Sequence, residues 1–333
     1  MAATDFWALE RTNRRETAIL VGAFLILFTA LGFGLDILIG DLYVTGGGAI
    51  GGVPMLTAAA LIIGIVQALA SYYGGAALVL ASVHARELTP DTPQHQMVLN
   101  VIREMALAAQ MPVPRGYLID DPAPNAFATG RDPAHSVICV TQGLVNTMDR
   151  EQLQGVVGHE MAHIRDYDIR TMMMIAVLVG GIAMLSDFFY RWMWFGGSSS
   201  RRRSDSDSGG NAGALILLAV LILAVLAPIF SQLLAMAVSR QREYLADAAS
   251  VEFTRNPRAL LRALETIATV ESPLRNASRG TAHLFIVSPL EGAREDNESF
   301  LDNLLSTHPP LSRRIARLQA LLNEAPPAPA VSP

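Results

Sequence analysis

The sequence predicts a mainly α-helical integral membrane protein, with about four membrane-crossing helices joined to an α+β domain that carries a small sheet. Three observations predict it. The 333 residues are 51% hydrophobic with a mean hydropathy of +0.33, too apolar for an ordinary soluble domain of this length. Apolar runs at 17–35, 53–81, 171–186 and 212–237 have the length of a bilayer crossing or come near it. Between and after them lie helix caps, amphipathic spacing and short β-rich stretches, the marks of a domain that faces water.

Residues 1–16 form a tail carrying Arg11, Arg14 and Arg15. The apolar run that follows is longer than the core of a secretory signal, and no small-x-small cleavage site comes after it, so it reads as a retained anchor. The Gly-rich turn 46–52 leads into the second run, giving two membrane helices over 17–82. The loop between them has no Arg, whereas Arg86 follows the second run. The positive-inside rule therefore puts the N-terminus and the segment after Ser82 in the cytoplasm.

A first domain segment, 83–170, opens with Thr92 and Pro93 as N-cap and first residue of a helix to about Gln110. Strand candidates follow at Gly116–Ile119 and Ser136–Val140. Asp149 with Gln152 has capping-box spacing and starts the next helix. The segment 171–237 holds the third and fourth apolar runs, with Pro228 as a kink. The Arg/Ser/Asp/Gly stretch near 196–211 reads as a disordered loop. The aromatic cluster from Phe188 to Phe195 suits either a membrane-interface belt or packing between helices. If both runs cross, Arg191 and Arg201–Arg203 fall outside, against the charge bias; the alternative is a hairpin that enters without crossing. The second domain segment, 238–325, has a helix around 239–249, a second opened by Asn256–Pro257 and running to about Val270, a strand candidate at His283–Ser288 and a final helix over Leu311–Asn323. A Pro/Ala tail fills 326–333.

The formal charge of -5 with scattered acidic residues gives no reason to expect a nucleic-acid partner. Cys139 is the one cysteine, so no internal disulfide forms, and a thiol in a strand reads as a small buried hydrophobe.

Chemistry enters at His159-Glu160-Met161-Ala162-His163. On a helix, residues four apart share a face, so two imidazoles can aim at one point, as a tetrahedral zinc site requires. Glu160 lies one step round the helix, better placed to take a proton from an attacking water than to bind the metal. A chance match is expected in roughly one chain in a hundred of this composition, so coincidence is a poor explanation. A catalytic zinc also needs a third protein ligand. It is not a later histidine of the extended motif, because Asp166 and Ile169 stand where the required Gly and His would be. Glu243 and Asp247, four apart, can supply one carboxylate to the metal and another to orient a histidine, or can be a solvated pair beside Arg240 and Arg242.

The stretch 159–163, two apolar runs and then Ser239 to Asp247 resemble the HtpX family of bacterial inner-membrane zinc endopeptidases, and more distantly the CAAX prenyl protein endopeptidase. Asn125-Ala126-Phe127-Ala128, Ala282–Ile286, and Thr307–Pro310 with Arg314-Ile315 resemble family segments in family order, so the likeness runs from about Thr17 to Leu322. It implies a zincin-like catalytic domain with one Zn2+ per chain, Glu243 as third ligand and Asp247 as its companion. Asn125, Ala126, Phe127 and Ala128 are then a strand edge where substrate lies extended. His308 and Arg314 come near the site, where either can stabilise an oxyanion. The implied protein is a multi-pass inner-membrane endopeptidase with a cytoplasmic catalytic domain, acting on membrane or misfolded polypeptides in quality control and the stress response. A non-proteolytic zinc-containing scaffold is the rival, and a transporter is disfavoured by the near absence of ionisable residues in the apolar runs.

Overall fold

The computed structural model describes residues 6–44, 55–178, 240–270, 281–287 and 309–324. Two long helices lead: α1 (Phe6–Val44) and α2 (Met55–Ser82). They run antiparallel, for Asp36 of α1 accepts hydrogen bonds from the backbone and hydroxyl of Thr57, both at 2.7 Å, while Gly64 of α2 lies against Leu25 and Phe28. Arg11–Gly34 and Thr57–Ser82 are long and apolar enough to cross a membrane. Ile26 and Ile62, 71% and 61% exposed, lie on an apolar outer face that also carries Ile19, Phe33, Ile63, Val66 and Leu69. Water would not tolerate such a face, and lipid favours it.

At the other end four cation–ring contacts gather near the start of the α1 apolar run. The Arg170 guanidinium lies over the Tyr72 and Tyr167 rings, Arg131 over Tyr73, and Arg14 over Tyr167, at 4.9–5.7 Å. From Thr57 to Tyr73 a helix rises about 24 Å, most of a hydrocarbon core about 30 Å thick. The rest of α2 leaves that layer and enters the domain, where Val79, Leu80 and Val83 are buried.

The sheet has the order β1-β2-β4-β3, with β1 (Arg86–Glu87), β2 (Arg115–Ile119), β3 (Ala126–Gly130) and β4 (Ser136–Thr141). β2 and β4 are parallel, and the two outer pairings are antiparallel. Alternation along the strands serves two cores. Leu118, Ile138 and Val140 face α3 (Pro93–Ala108) and α5 (Arg150–Arg165). Ile119, Val137 and Cys139 face the ends of α1 and α2 together with residues 168–178, a further helix, α6. The short α4 (Gln142–Thr147) follows β4. After the apolar segments come α7 (Arg240–Thr254), α8 (Pro257–Ala268) and α9 (Leu311–Glu324).

The expected helices outside the apolar runs and the strands expected at Gly116–Ile119 and Ser136–Val140 lie within about five residues of the observed ones, whereas α1 extends well past both ends of the expected run 17–35. Thr92, Asp149 and Asn256 cap α3, α5 and α8 with their side chains, and Asp149–Gln152 closes a full capping box. The expected strand at His283–Ser288 is not one: Ala282–Leu284 is a 3-10 turn and 285–287 a bend. His283 Nε2 bonds the Met172 carbonyl at 3.1 Å, and Ile286 N–H makes a single ladder-like bond to Ala126. Nothing is described for the third run beyond Leu178, the fourth run, the loop near 196–211, the aromatic cluster or the tail, so two spans are described where four were expected.

The helix that carries His159 is pressed backbone to backbone on α8. A Cβ on Gly155 would sit 2.4 Å from Leu260 N and 2.7 Å from Ala259 C. Gly155→Ala is therefore expected to destabilise the fold by about 1–3 kcal/mol, the range for overpacking, measured by denaturant unfolding in mixed micelles; an unchanged midpoint would mean that the helices separate freely.

Candidate metal centre

Three side chains from two helices converge. The α5 ladder places His159 and His163 one turn apart, with ring centroids 4.8 Å apart and planes at 86°. α7 packs across α5 at Gly155 and Gly158, where Ser250 Oγ donates to the Gly155 carbonyl at 2.6 Å. That contact brings Glu243, two turns earlier on α7, over the histidines. The ligand-capable atoms of His159, His163 and Glu243 all lie within 4.8 Å of one another, and all three residues are buried.

The backs of the rings decide what the fronts can do. His163 Nδ1 faces Asp168 Oδ2 at 3.0 Å, and His159 Nδ1 faces Asp247 Oδ1 at 3.0 Å. Each Nδ1–H donates to a carboxylate, which leaves both Nε2 lone pairs directed inward, 3.2 Å apart. Two lone pairs held face to face in a buried site repel unless a proton or a cation lies between them. A tetrahedral zinc with bonds of about 2.0–2.1 Å sets its ligands roughly 3.3–3.5 Å apart. The Nε2 pair at 3.2 Å and the Glu243 oxygens at 3.5 and 3.6 Å from His159 and His163 match those edges. The donor set fits a divalent metal, and His159, His163 and Glu243 would hold it.

Glu160 lies beside them, almost fully buried. Burial pushes its carboxyl above the usual range, partly offset by the two histidines and by a hydrogen bond from the Ala128 backbone. Ala126 and Ala128 of β3 share one side of the strand, and Ala126 O accepts from Ile286 on that side. β3 is the sheet's outer strand, and its outer edge already holds Ile286 N–H on the Ala126 carbonyl and Glu160 on the Ala128 N–H. Asn125 ties the strand's start to the following segment by donating to the Val287 carbonyl at 2.9 Å, while Phe127 turns away into the second core against Phe285.

Arg314 lies at the site, as expected. It is fully buried, with donors on Asp247 at 2.6 and 3.0 Å and on the Ile286 carbonyl at 2.8 Å, Glu243 at 3.4 Å and the His159 ring at 3.4–3.5 Å from Nη2. It clamps the carboxylates beside the histidines. Burial opposes its charge, but Asp247 and Glu243 raise its pKa. Burial likewise works against the Asp247 carboxylate, yet Arg314 and His159 hold its pKa below the usual range. His308 lies outside the described residues. Asp168 was not anticipated; the signal available was a carboxylate five positions after His163, just past the end of the helix.

A buried pair of histidines, a glutamate from a second helix and an adjacent acidic residue on an HExxH turn define a metallopeptidase. A profile of peptidase family M48 matches residues 93–322, and the chain belongs to that family. Its relatives include the protease HtpX homologs of Levilactobacillus brevis, 40% identical over 310 residues covering 93% of this chain and 98% of that protein, and of Streptococcus mutans serotype c, 41% identical over 309 residues covering 92% and 97%. The protease HtpX homolog of Caldanaerobacter subterraneus subsp. tengcongensis is 43% identical over 245 residues, 73% of this chain and 77% of that one. Among solved structures, S. mikatae Ste24p aligns over 95% of this chain and 67% of its own at 18% identity, with a TM-score of 0.47. The chain is a membrane metallopeptidase.

Without metal, burial lowers the His163 pKa, but the bond to Asp168 and the charges of Glu243, Asp168 and Glu160 outweigh it and raise it to about 9. A raised pKa stabilises the metal-free fold below the unfolded value of 6.5, a contribution lost as pH climbs through about 9. Metal binding at pH 7 must then expel this proton. Calorimetric titration in buffers of different ionisation enthalpy is expected to show at least about one proton released per metal, with affinity rising from pH 7 to 9; pH-independent affinity would contradict it. Arg314→Leu, which strands Asp247 without its counter-charge, is expected to cost about 3–5 kcal/mol in unfolding experiments.

Proposed function

We propose that the protein is a zinc-dependent endopeptidase of the bacterial inner membrane, multi-pass, with its catalytic domain on the cytoplasmic face, where it cuts membrane or misfolded polypeptides as part of membrane protein quality control. The observation that carries the chemistry is the pair of inward-facing Nε2 atoms 3.2 Å apart beside a buried glutamate of raised pKa. The orientation rests on Arg11, Arg14 and Arg15 before the first span and Arg86 after the second, with no Arg in the loop between.

A zinc ion bound there supplies Lewis-acid polarisation of the scissile carbonyl and makes water a competent nucleophile near neutral pH. Glu160 takes the proton from the attacking water; its raised pKa keeps it basic enough to accept that proton and acidic enough to pass it on to the leaving amine as the C–N bond breaks. An extended substrate adds to the outer edge of β3 by main-chain hydrogen bonds, taking over the groups that Ile286 and Glu160 hold without it; such bonds read backbone and not side chain, as a broad quality-control protease needs. Proximity supports membrane substrates: the turn holding Asp168 is bonded to Asn13 at 2.7 Å, one helical turn before the apolar span begins at Thr17.

Glu160→Gln keeps size and removes the base. It is expected to bind zinc like the parent protein and to cleave a single-span membrane substrate 10²- to 10⁴-fold more slowly, assayed in detergent with and without chelator. Undiminished cleavage by the variant, or cleavage that survives chelation, would overturn the assignment.

A further inference from the structure

We infer that the first membrane helix is a working part of the metal centre, with Asn13 the positioning residue that acts on His163 through Asp168. The inference rests on the site being a metal centre, as proposed above.

Asn13 lies on α1, about 150 positions from the catalytic helix, yet it is buried against the end of that helix. Its side-chain amide donates twice, to the Asp166 carbonyl at 2.6 Å and to Asp168 Oδ1 at 2.7 Å. Between those two acceptors stands Tyr167, two residues past the end of α5, at φ +63°. This left-handed conformation is costly for a side chain of that size and persists only where its surroundings impose it. The amide of Asn13 spans the turn and fixes where Asp168 stands.

Asp168 then divides its carboxylate. Oδ2 accepts from His163 Nδ1, while Oδ1 faces Asn13 and, at 3.5 Å, the guanidinium of Arg242. Arg242 neighbours Glu243 in sequence and is paired with Glu16 of α1. One helical turn of the membrane anchor therefore holds Asp168 twice: Asn13 directly, and Glu16 through Arg242. Asp168 sets the tautomer and angle of His163, so whatever holds Asp168 sets how well His163 binds.

The test uses the full chain in detergent, loaded with Co2+, whose visible absorption reports ligand geometry. Asn13→Leu keeps volume and removes both donors. It is expected to speed metal release into EDTA by about 10-fold, the low end for groups behind a ligating histidine, and to shift the Co2+ bands. Thr17→Val, one turn along, removes the bonds to Thr171 at 2.8 Å and to the Asn13 main-chain carbonyl at 2.9 Å and loosens the same helix while leaving the Asn13 amide on Asp168; it is expected to release metal at the parent rate with parent bands. Asn13→Gln, which keeps the amide, serves if the Leu variant does not accumulate, with an effect between the two. In an Asp168→Ala background the Asn13 substitution should add nothing. Parent-like release and spectrum in Asn13→Leu, an equal acceleration in Thr17→Val, or additivity with Asp168→Ala would each overturn the inference. Failure of the unsubstituted chain to bind Co2+ at all would instead overturn the metal-centre reading itself.

Discussion

Two imidazole nitrogens facing each other across 3.2 Å in a buried site are the constraint from which the rest of this structure follows. Left alone, that arrangement is unstable: burial weakens the screening of like dipoles, and each lone pair wants a partner. The fold holds it by fastening the far side of each ring to a carboxylate, Asp168 for His163 and Asp247 for His159. Those carboxylates need counter-charges of their own, supplied by Arg242 and Arg314. The result is a nested polar network in which each layer is charged opposite to the one within. Such networks hold their geometry when complete and fail badly when one member is lost.

Close packing serves the same end. The approach of α8 to α5 requires a residue without a side chain at Gly155, and Ser250 is bonded to the carbonyl of that same glycine. One unadorned stretch of helix therefore receives two neighbours, and the second of them carries Glu243. A shift of α7 along α5 by even one residue, about 1.5 Å, would take the glutamate out of ligand range.

Much of this was legible in the sequence where the determinant was local. The histidine pair follows from helical periodicity, which left Glu243–Asp247 open between a metal-side and a solvated pair until the family likeness chose, and Asp149–Gln152 announces the start of α5 because a capping box is written within four residues. What the sequence hid depends on contacts made across long separations. β3 was visible only through a family likeness, since Ala126–Gly130 has little β character and becomes a strand by pairing with β4. The stretch 283–287 has strand-like residues, yet His283 is drawn to the Met172 carbonyl and a turn results. Arg314 looked like a free cation near a cleft; only the fold shows that Asp247 takes two of its donors. Asp168 and Asn13 belong to no pattern, because their partnership joins residues 155 positions apart.

α2 runs without interruption from Met55, through the layer where Ile62 and Leu69 face outward, to Val79 and Leu80 inside the domain's second core. Anchor and enzyme thus share a rigid axle. A thinner bilayer, such as one stretched laterally, tilts a helix to hide its apolar length, and a tilt of α2 carries the end of that helix packed in the domain with it. Because Val79 and Leu80 pack in the same core as Phe127 and Cys139, the slope of α2 and the slope of the sheet are one quantity.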